Sequence, residues 1–282
     1  LQIFSSSRST YQLDEGLARL QENARFSMEF LTREIRPAGH MGCLRNVTPF
    51  NNVSAAAPFN FSIPIQGFEY SGTAPGNTYA YSGAVYPADS TALWNPALDI
   101  TLILGSGAGG AMAGTDAIVV RHVNSAPVAL VAPYNDPTQV FLSPGGSNSF
   151  TVGQTALISN CEKASLFKIT DKTGDILAHD GTENFCSTWT AGAANCPTDE
   201  QQYGPDSEVA QAQTYAFYIA NGTNNVPSLW QATLTGPPAE LVEGVENMQI
   251  MYGVDSATAV GTNSSGQPNQ YLTASAVTTG GL

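Results

Sequence analysis

The sequence predicts an α+β fold: one long N-terminal α-helix packed on a mainly antiparallel β-sheet, with extended, loop-rich β insertions. Three observations lead there. Helical periodicity is confined to the stretch before Gly39. Short runs rich in β-branched and aromatic residues make up the remainder of the chain. Nothing between those runs reads as a crossover helix, which parallel strands would need.

The helix comes first. From Leu13 to Ile35 the apolar residues Leu13, Leu17, Leu20, Ala24, Met28, Leu31 and Ile35 recur every three or four positions. At a helix's angular spacing they fall within about 80° of one another, one stripe, and are the expected helix-to-sheet core. Glu15 with Arg19, and Glu29 with Arg33, sit four apart with the acid first, the favourable order. Gly16 costs about 1 kcal/mol relative to Ala. Each buried Leu or Ile contributes roughly 1.5–3 kcal/mol, so the stripe prevails once it meets a sheet. Pro37 and Gly39 end the helix near Ile35. Phe26 and Phe30 lie off the stripe, among Glu22, Arg25, Glu29 and Arg33. A helix apolar on two sides is sandwiched, so these two rings are covered either by a loop of the same chain or by a partner helix, and the second reading makes them the expected partner contact.

Six strands are expected beyond the helix: "ITLILG" (100–105), "DAIVVRHV" (116–123), "TALISNC" (155–161), "SLFKIT" (165–170), "TYAFYIA" (214–220) and "NMQIMYGV" (247–254). "DKTGD" (171–175) reads as a hairpin turn. The stretches 71–92 and 186–207 are polar, turn-rich surface loops. The expected division is residues 1–39 as the helix and 40–282 as a β-rich head with room for two lobes. At 282 residues and 42% apolar content, the chain can bury roughly 75% of its unfolded surface.

Composition narrows the function. A net charge of −13, with no basic cluster after the helix, repels phosphate backbones and anionic lipid, which excludes nucleic acid as a partner. No run of about 18 apolar residues is present. The sequence starts at Leu1 without Met or a signal peptide, which reads as a cut end. No pair of the four cysteines is spaced C-x-x-C, against a zinc or thioredoxin-type site. Their even number points to disulfides and a location outside the cytosol. Cys186 and Cys196 flank a short polar loop, but three pairings remain open.

Catalytic patterns are weak. "GSGAGG" (105–110) matches a dinucleotide fingerprint, yet only "AMAGT" separates it from the next strand, leaving no helix to receive a pyrophosphate. His40, His122 and His179 lie far apart, and there is no nucleophile elbow or phosphate-binding loop. Asp255 sits in a turn without a calcium-loop pattern. No cofactor, no metal and no enzymatic activity are expected.

"LQENARFSMEFLTREIRPAGHMGC" (20–43) resembles the N-terminal helix of the PilW family of bacterial type IV minor pilins. "GTDAIVVRHV" (114–123), "VGQTALISNCEKASLFKIT" (152–170) and "ELVEGVENMQIMYGVD" (240–255) resemble later parts of that family, in family order. The resemblance implies a pilin-like fold and a non-enzymatic filament subunit. The half-helix that would precede this sequence is membrane-embedded before assembly and buried in the filament core afterwards. It implies partnership with PilV-, PilX- and FimU-like minor pilins, a PilY-type tip adhesin and the major pilin, priming assembly and supporting adhesion and twitching. It implies a location on the periplasmic side of the inner membrane and at the extracellular pilus tip. The family's cysteines fall on Cys43 and Cys161, which favours that bridge and leaves Cys186 with Cys196. The family's upstream apolar half-helix and its later Trp-containing strand are not in this sequence; either the sequence stops short of that strand or the sheet lacks it, and in the second case an uncovered edge is open to another chain. Two alternatives share the same residues. A type II secretion pseudopilin would have the same helix and sheet. A secreted β module that binds sugars would use Tyr79, Tyr81, Tyr86, Trp94 and Trp189, whereas the favoured reading of these rings is that they pack loops onto the core.

Overall fold

A computed structural model describes residues 2–44, 49–53, 60–77, 92–98, 102–103, 110–134, 136–181, 183–186, 203–255 and 266–280. The chain opens with a single helix, α1 (Gln2–Ile35), which starts well before the Leu13 that the spacing marks. It ends where Pro37 and the left-handed Gly39 (φ 77°) predict.

One strand organises the head. β11 (Glu208–Asn221) is 14 residues long and shared by two sheet regions. Its first residues pair with β5 (Val128–Ala129) on one edge and β7 (Thr155–Ser159) on the other. Its second half pairs with β4 (Ala117–Val123) and with β12 (Pro227–Thr233). From β7 the sheet continues through β8 (Ala164–Lys168) to β1 (Phe50–Asn51). From β4 it continues through β2 (Ile65–Tyr70) to β3 (Trp94–Asn95), and from β12 to β13 (Gly236–Glu243). Among the described pairs only β1 with β8 is parallel. A separate sheet joins β6 (Gln139–Phe141), β10 (Ile176–Ala178) and β9 (Asp171–Thr173), and the last two form the hairpin expected at "DKTGD". A third pairs β14 (Tyr252–Val254) with β15 (Gln270–Leu272), and α2 (Ala274–Gly280) comes next in the chain.

Alternation along the shared strands builds two cores. Ile118, Val120, Phe217 and Ile219 face one side, with Met112, Leu229 and Val242. Val119, Ala216, Tyr218 and Ala220 face the other, with Trp94, Leu98, Leu102 and Ile103. Period-2 alternation places successive residues on opposite faces, so a sheet with apolar residues at every position must be covered twice. α1 covers the first face and the irregular segments cover the second.

Several expectations shift. Leu102 and Ile103 are buried but form no strand, and most of "ITLILG" and "GSGAGG" lies outside the described residues. In "NMQIMYGV" only Tyr252–Val254 is strand, because Asp116 caps the preceding residues by accepting the Ile250 N–H. Trp94, one of the supposed ligand-binding aromatics, is buried against Tyr70 and donates its indole N–H to Thr115 O at 2.8 Å. Tyr79, Tyr81, Tyr86 and Trp189 lie outside the described residues.

His179, fully buried after β10, stands edge-on to Phe167 with ring centroids 5.7 Å apart. Burial pushes its imidazole down to about 4 from 6.5. Between those values the unfolded chain binds the extra proton, so this contribution to stability is full above 6.5 and is lost as pH falls toward 4. His179→Phe should therefore gain Tm relative to the unmodified chain as pH is lowered across that window, as measured by thermal melts.

Candidate functional site: the helix and its junction with the head

Among the described residues α1 meets the sheet only through its last turns. Its backbone is continuous, but residues 2–22 have no sheet beneath them and are exposed wherever their side chains are described. The helix spans about 50 Å at its standard rise, and the head underlies only its C-terminal part. Leu13, Leu17, Leu20 and Met28 are 56–67% exposed, and Ala24 is exposed too. Of the residues assigned to the helix-to-sheet core, Leu31 and Ile35 reach it. Phe30, assigned to a partner, packs on the chain's own sheet beside them. Phe26 stays at the rim, 37% exposed.

The reason is rotational. The docked face is Asn23, Ser27, Phe30, Leu31, Glu34 and Ile35, turned by roughly 60° from the leucine stripe. Polar groups set that turn. Asn23 Nδ2 donates to the Glu243 carbonyl at the end of β13 (2.8 Å), and Ser27 Oγ folds back onto Asn23 O (2.8 Å). Glu34, 8% exposed, receives Arg33 Nε at 2.8 Å on one carboxylate oxygen and faces His122 Nε2 at 3.2 Å with the other. His122 Nδ1 lies 3.1 Å from Val123 O, and its ring tilts against Tyr215 at 5.7 Å. Burial, then the Glu34 charge, raises the Tyr215 phenol.

Periodicity missed Glu34, His122 and Asn23. A signal was present: Arg121 and His122 interrupt an otherwise apolar strand, and buried charges require partners. Arg121, 1% exposed, donates to Ile63 O and Gln66 Oε1, both at 2.9 Å.

The chain leaving the helix is pinned to the sheet. Gly39 N donates to Arg121 O (2.9 Å) and His40 O accepts from Val123 N (2.9 Å). Cys43 is then joined to Cys161, with Cα atoms 4.8 Å apart. Cys161 occupies the turn between β7 and β8 in a left-handed conformation (φ 68°), and Asn160 Oδ1 accepts the Glu162 and Lys163 N–H groups there. Cys186 is also disulfide-bonded, while Cys196 lies outside the described residues.

Where α1 leaves the head, a crevice opens on each flank. One, about 550 Å³, has Leu20, Ala24 and Met28 facing Leu229, Val245 and Met248. The other, about 650 Å³, has Phe26 and Phe30 facing Val226, Leu241 and Val242. The exposed leucines run directly into the first. Among the described residues no group of three or more His, Cys, Asp or Glu converges as a metal site, and no helix is long and apolar enough to cross a membrane. The arrangement is one of contact surface: an apolar helical stripe that none of the described residues covers, ending in a notch.

Residues 216–281, from β11 to the C-terminal helix, match the family model of type IV pilus-assembly protein W, PilW. No curated protein and no solved structure matches the chain. The match agrees with the PilW resemblance read from the sequence, whose 240–255 segment lies inside it.

The Cys43–Cys161 bridge closes a loop of 118 residues in sequence separation. In the chain-entropy account a loop of that length is worth about 4–5 kcal/mol. The double variant Cys43→Ser, Cys161→Ser should lose that order of stability, read as a lowered urea midpoint.

Proposed function

We propose that this chain acts as a minor pilin that joins other minor pilins in a priming and tip complex to initiate type IV pilus assembly. Supporting this reading are the family-model match over residues 216–281 and the helix's exposed leucines. The second observation carries it. Leu13, Leu17 and Leu20 sit on a helix that projects past its own head, each more than half exposed. Isolated exposed apolar side chains need no explanation, but a contiguous stripe marks a surface that another chain covers. A neighbouring helix packing along it would bury the stripe and seat its end in the notch between Met28 and Met248.

Helix α1 thus divides its labour along its length. Its last turns hold its own head, and the preceding turns hold neighbouring subunits. The partners are PilV-, PilX- and FimU-like minor pilins, with a PilY-type adhesin and the major pilin nearby. The full-length protein is anchored in the inner membrane before assembly and displayed at the pilus tip afterwards, where it supports adhesion and twitching. It acts by binding, without catalysis.

Charge supports a place among unlike neighbours. Residues 1–39 hold five acidic and five basic side chains, so the whole net charge of −13 lies in residues 40–282. Identical heads packed side by side would repel one another, whereas the neutral helix can stack.

Leu17→Glu with Leu20→Glu tests the reading in full-length protein. Both positions are exposed, so the Tm of the soluble chain should hold. Each lost anchor should cost about 2 kcal/mol, roughly 30-fold in association. Surface pili counted by microscopy and co-purification with the minor-pilin domains should both fall sharply. Normal pili with these charges in place would refute the reading. Intact pili with failed exoprotein release would assign the chain to a type II secretion pseudopilus.

A further inference from the structure

The hairpin β14–β15 and α2 cover strand β2, and Gly67 admits them. A Cβ at Gly67 would stand 2.5 Å from Tyr252 Cζ and 2.8 Å from the Ala274 Cβ. Close beneath lie two carboxyls, Glu69 on β2 (4% exposed) and Asp116 just before β4 (2% exposed). They hydrogen-bond to each other. Asp116 also accepts the Tyr70 N–H of β2 at 3.1 Å and the Ile250 N–H at 2.9 Å, and its own N–H donates to Met248 O at 2.9 Å. One side chain thereby ties β4, β2 and the run that leads into the hairpin. Thr73 Oγ1 donates to Glu69 Oε1 at 3.3 Å.

Little surrounds the pair that could neutralise it. Neither carboxyl has an ion-pair partner among the described residues. The Tyr252 phenol feels both carboxyls, and its buried oxygen has no hydrogen-bond partner among the described residues. α2 carries no charged residue.

We propose that the Glu69–Asp116 pair is a proton-operated latch that holds the β14–β15 hairpin and α2 against β2. With one shared proton the pair carries a single charge, met by two backbone donors. Without it, two like charges face each other in a buried site, and the segment with least other anchorage gives way. That segment is the hairpin and α2, because β2 and β4 are held by ladders on both edges.

Proton binding sets the direction of the pH effect. Burial first, then the Asp116 charge, raises Glu69 to about 7 from 4.5. Across that window the folded state binds a proton that the unfolded chain has released. The latch's contribution is therefore full below 4.5 and is lost as pH rises through about 7. Burial raises Asp116 as well, opposed by the Ile250 and Tyr70 N–H groups.

Opening would reach the helix junction. Met248, Ile250 and Tyr252 pack on the same cluster as Phe30, Leu31 and Ile35, and Met248 also lines the crevice beside Met28. The latch rests on its own geometry, and only its effect on subunit contacts rests on the proposed pilin role.

Hydrogen exchange read by mass spectrometry tests it on the isolated chain, at about pH 5.5 and about pH 8, corrected for intrinsic rates. Between those two pH values, protection over residues 248–255 and 266–280 should fall roughly 30-fold in the unmodified protein, about tenfold per pH unit up to about 7 and level beyond it, while β7–β8 stays constant. In Glu69→Gln, whose amide still donates to Asp116, protection should persist at the higher pH. Equal change in residues 248–255 and 266–280 and in β7–β8 of the unmodified protein overturns the latch, as does an equal loss in a folded Glu69→Gln. Should that variant fail to fold, the unmodified comparison decides alone. A working latch with normal pili in the leucine variants would leave the latch standing and remove the pilin role.

Discussion

Glu34 is buried in the helix–sheet junction because Arg33 and His122 occupy its two carboxylate oxygens. A carboxylate in that position without partners would cost several kcal/mol. This constraint reaches far. It sets which face of α1 lies on the sheet, and therefore which face does not. With Glu34 and Asn23 both directed at the head, the leucine stripe is turned outward. The apolar surface offered to other chains is thus a consequence of where two polar side chains had to go.

The same constraint explains the bracing beyond the helix. A rod attached by only its last turns acts as a lever, and force on its free portion falls on the junction. The chain answers with backbone hydrogen bonds from Gly39 and to His40, then with the Cys43–Cys161 bridge into the β7–β8 turn. Those contacts fix the exit of the helix to both sheet regions that β11 unites. β11 matters because its two halves carry different neighbours, so tension at the bridge is passed to the strands under the helix through one continuous backbone.

Cover is distributed unevenly over the sheet. α1 protects one face near β4, β11, β12 and β13, and irregular segments around Trp94 and Leu102 protect the other. The C-terminal hairpin and α2 are a lighter attachment, held over β2 by close approach at Gly67 and by a carboxyl pair. Strong ladders in the centre and proton-sensitive attachment at the margin are compatible in one domain, because local opening need not cost the global stability.

Much of this was legible in the residues themselves. Apolar spacing announced a helix, Pro37 and Gly39 announced its end, and the β-branched runs at 116–123, 155–161, 165–170 and 214–220 each became strand. Such features depend on neighbours a few positions apart, which a sequence displays directly. The strands at 65–70, 227–233 and 236–243 carry no clear local signal, because Gly, Pro and charged residues dilute their pattern, and long-range pairing overrides propensity there. At the candidate site, periodicity found the apolar stripe but assigned it to the wrong surface. Nothing local to α1 says how wide the sheet beneath it is, or that His122, 88 residues from Glu34 in sequence, waits on β4. By itself the sequence determined that a long amphipathic helix precedes a β-rich head. Only the tertiary structure decided which side of that helix the head keeps, because that choice is made by polar pairs that exist only once distant segments meet.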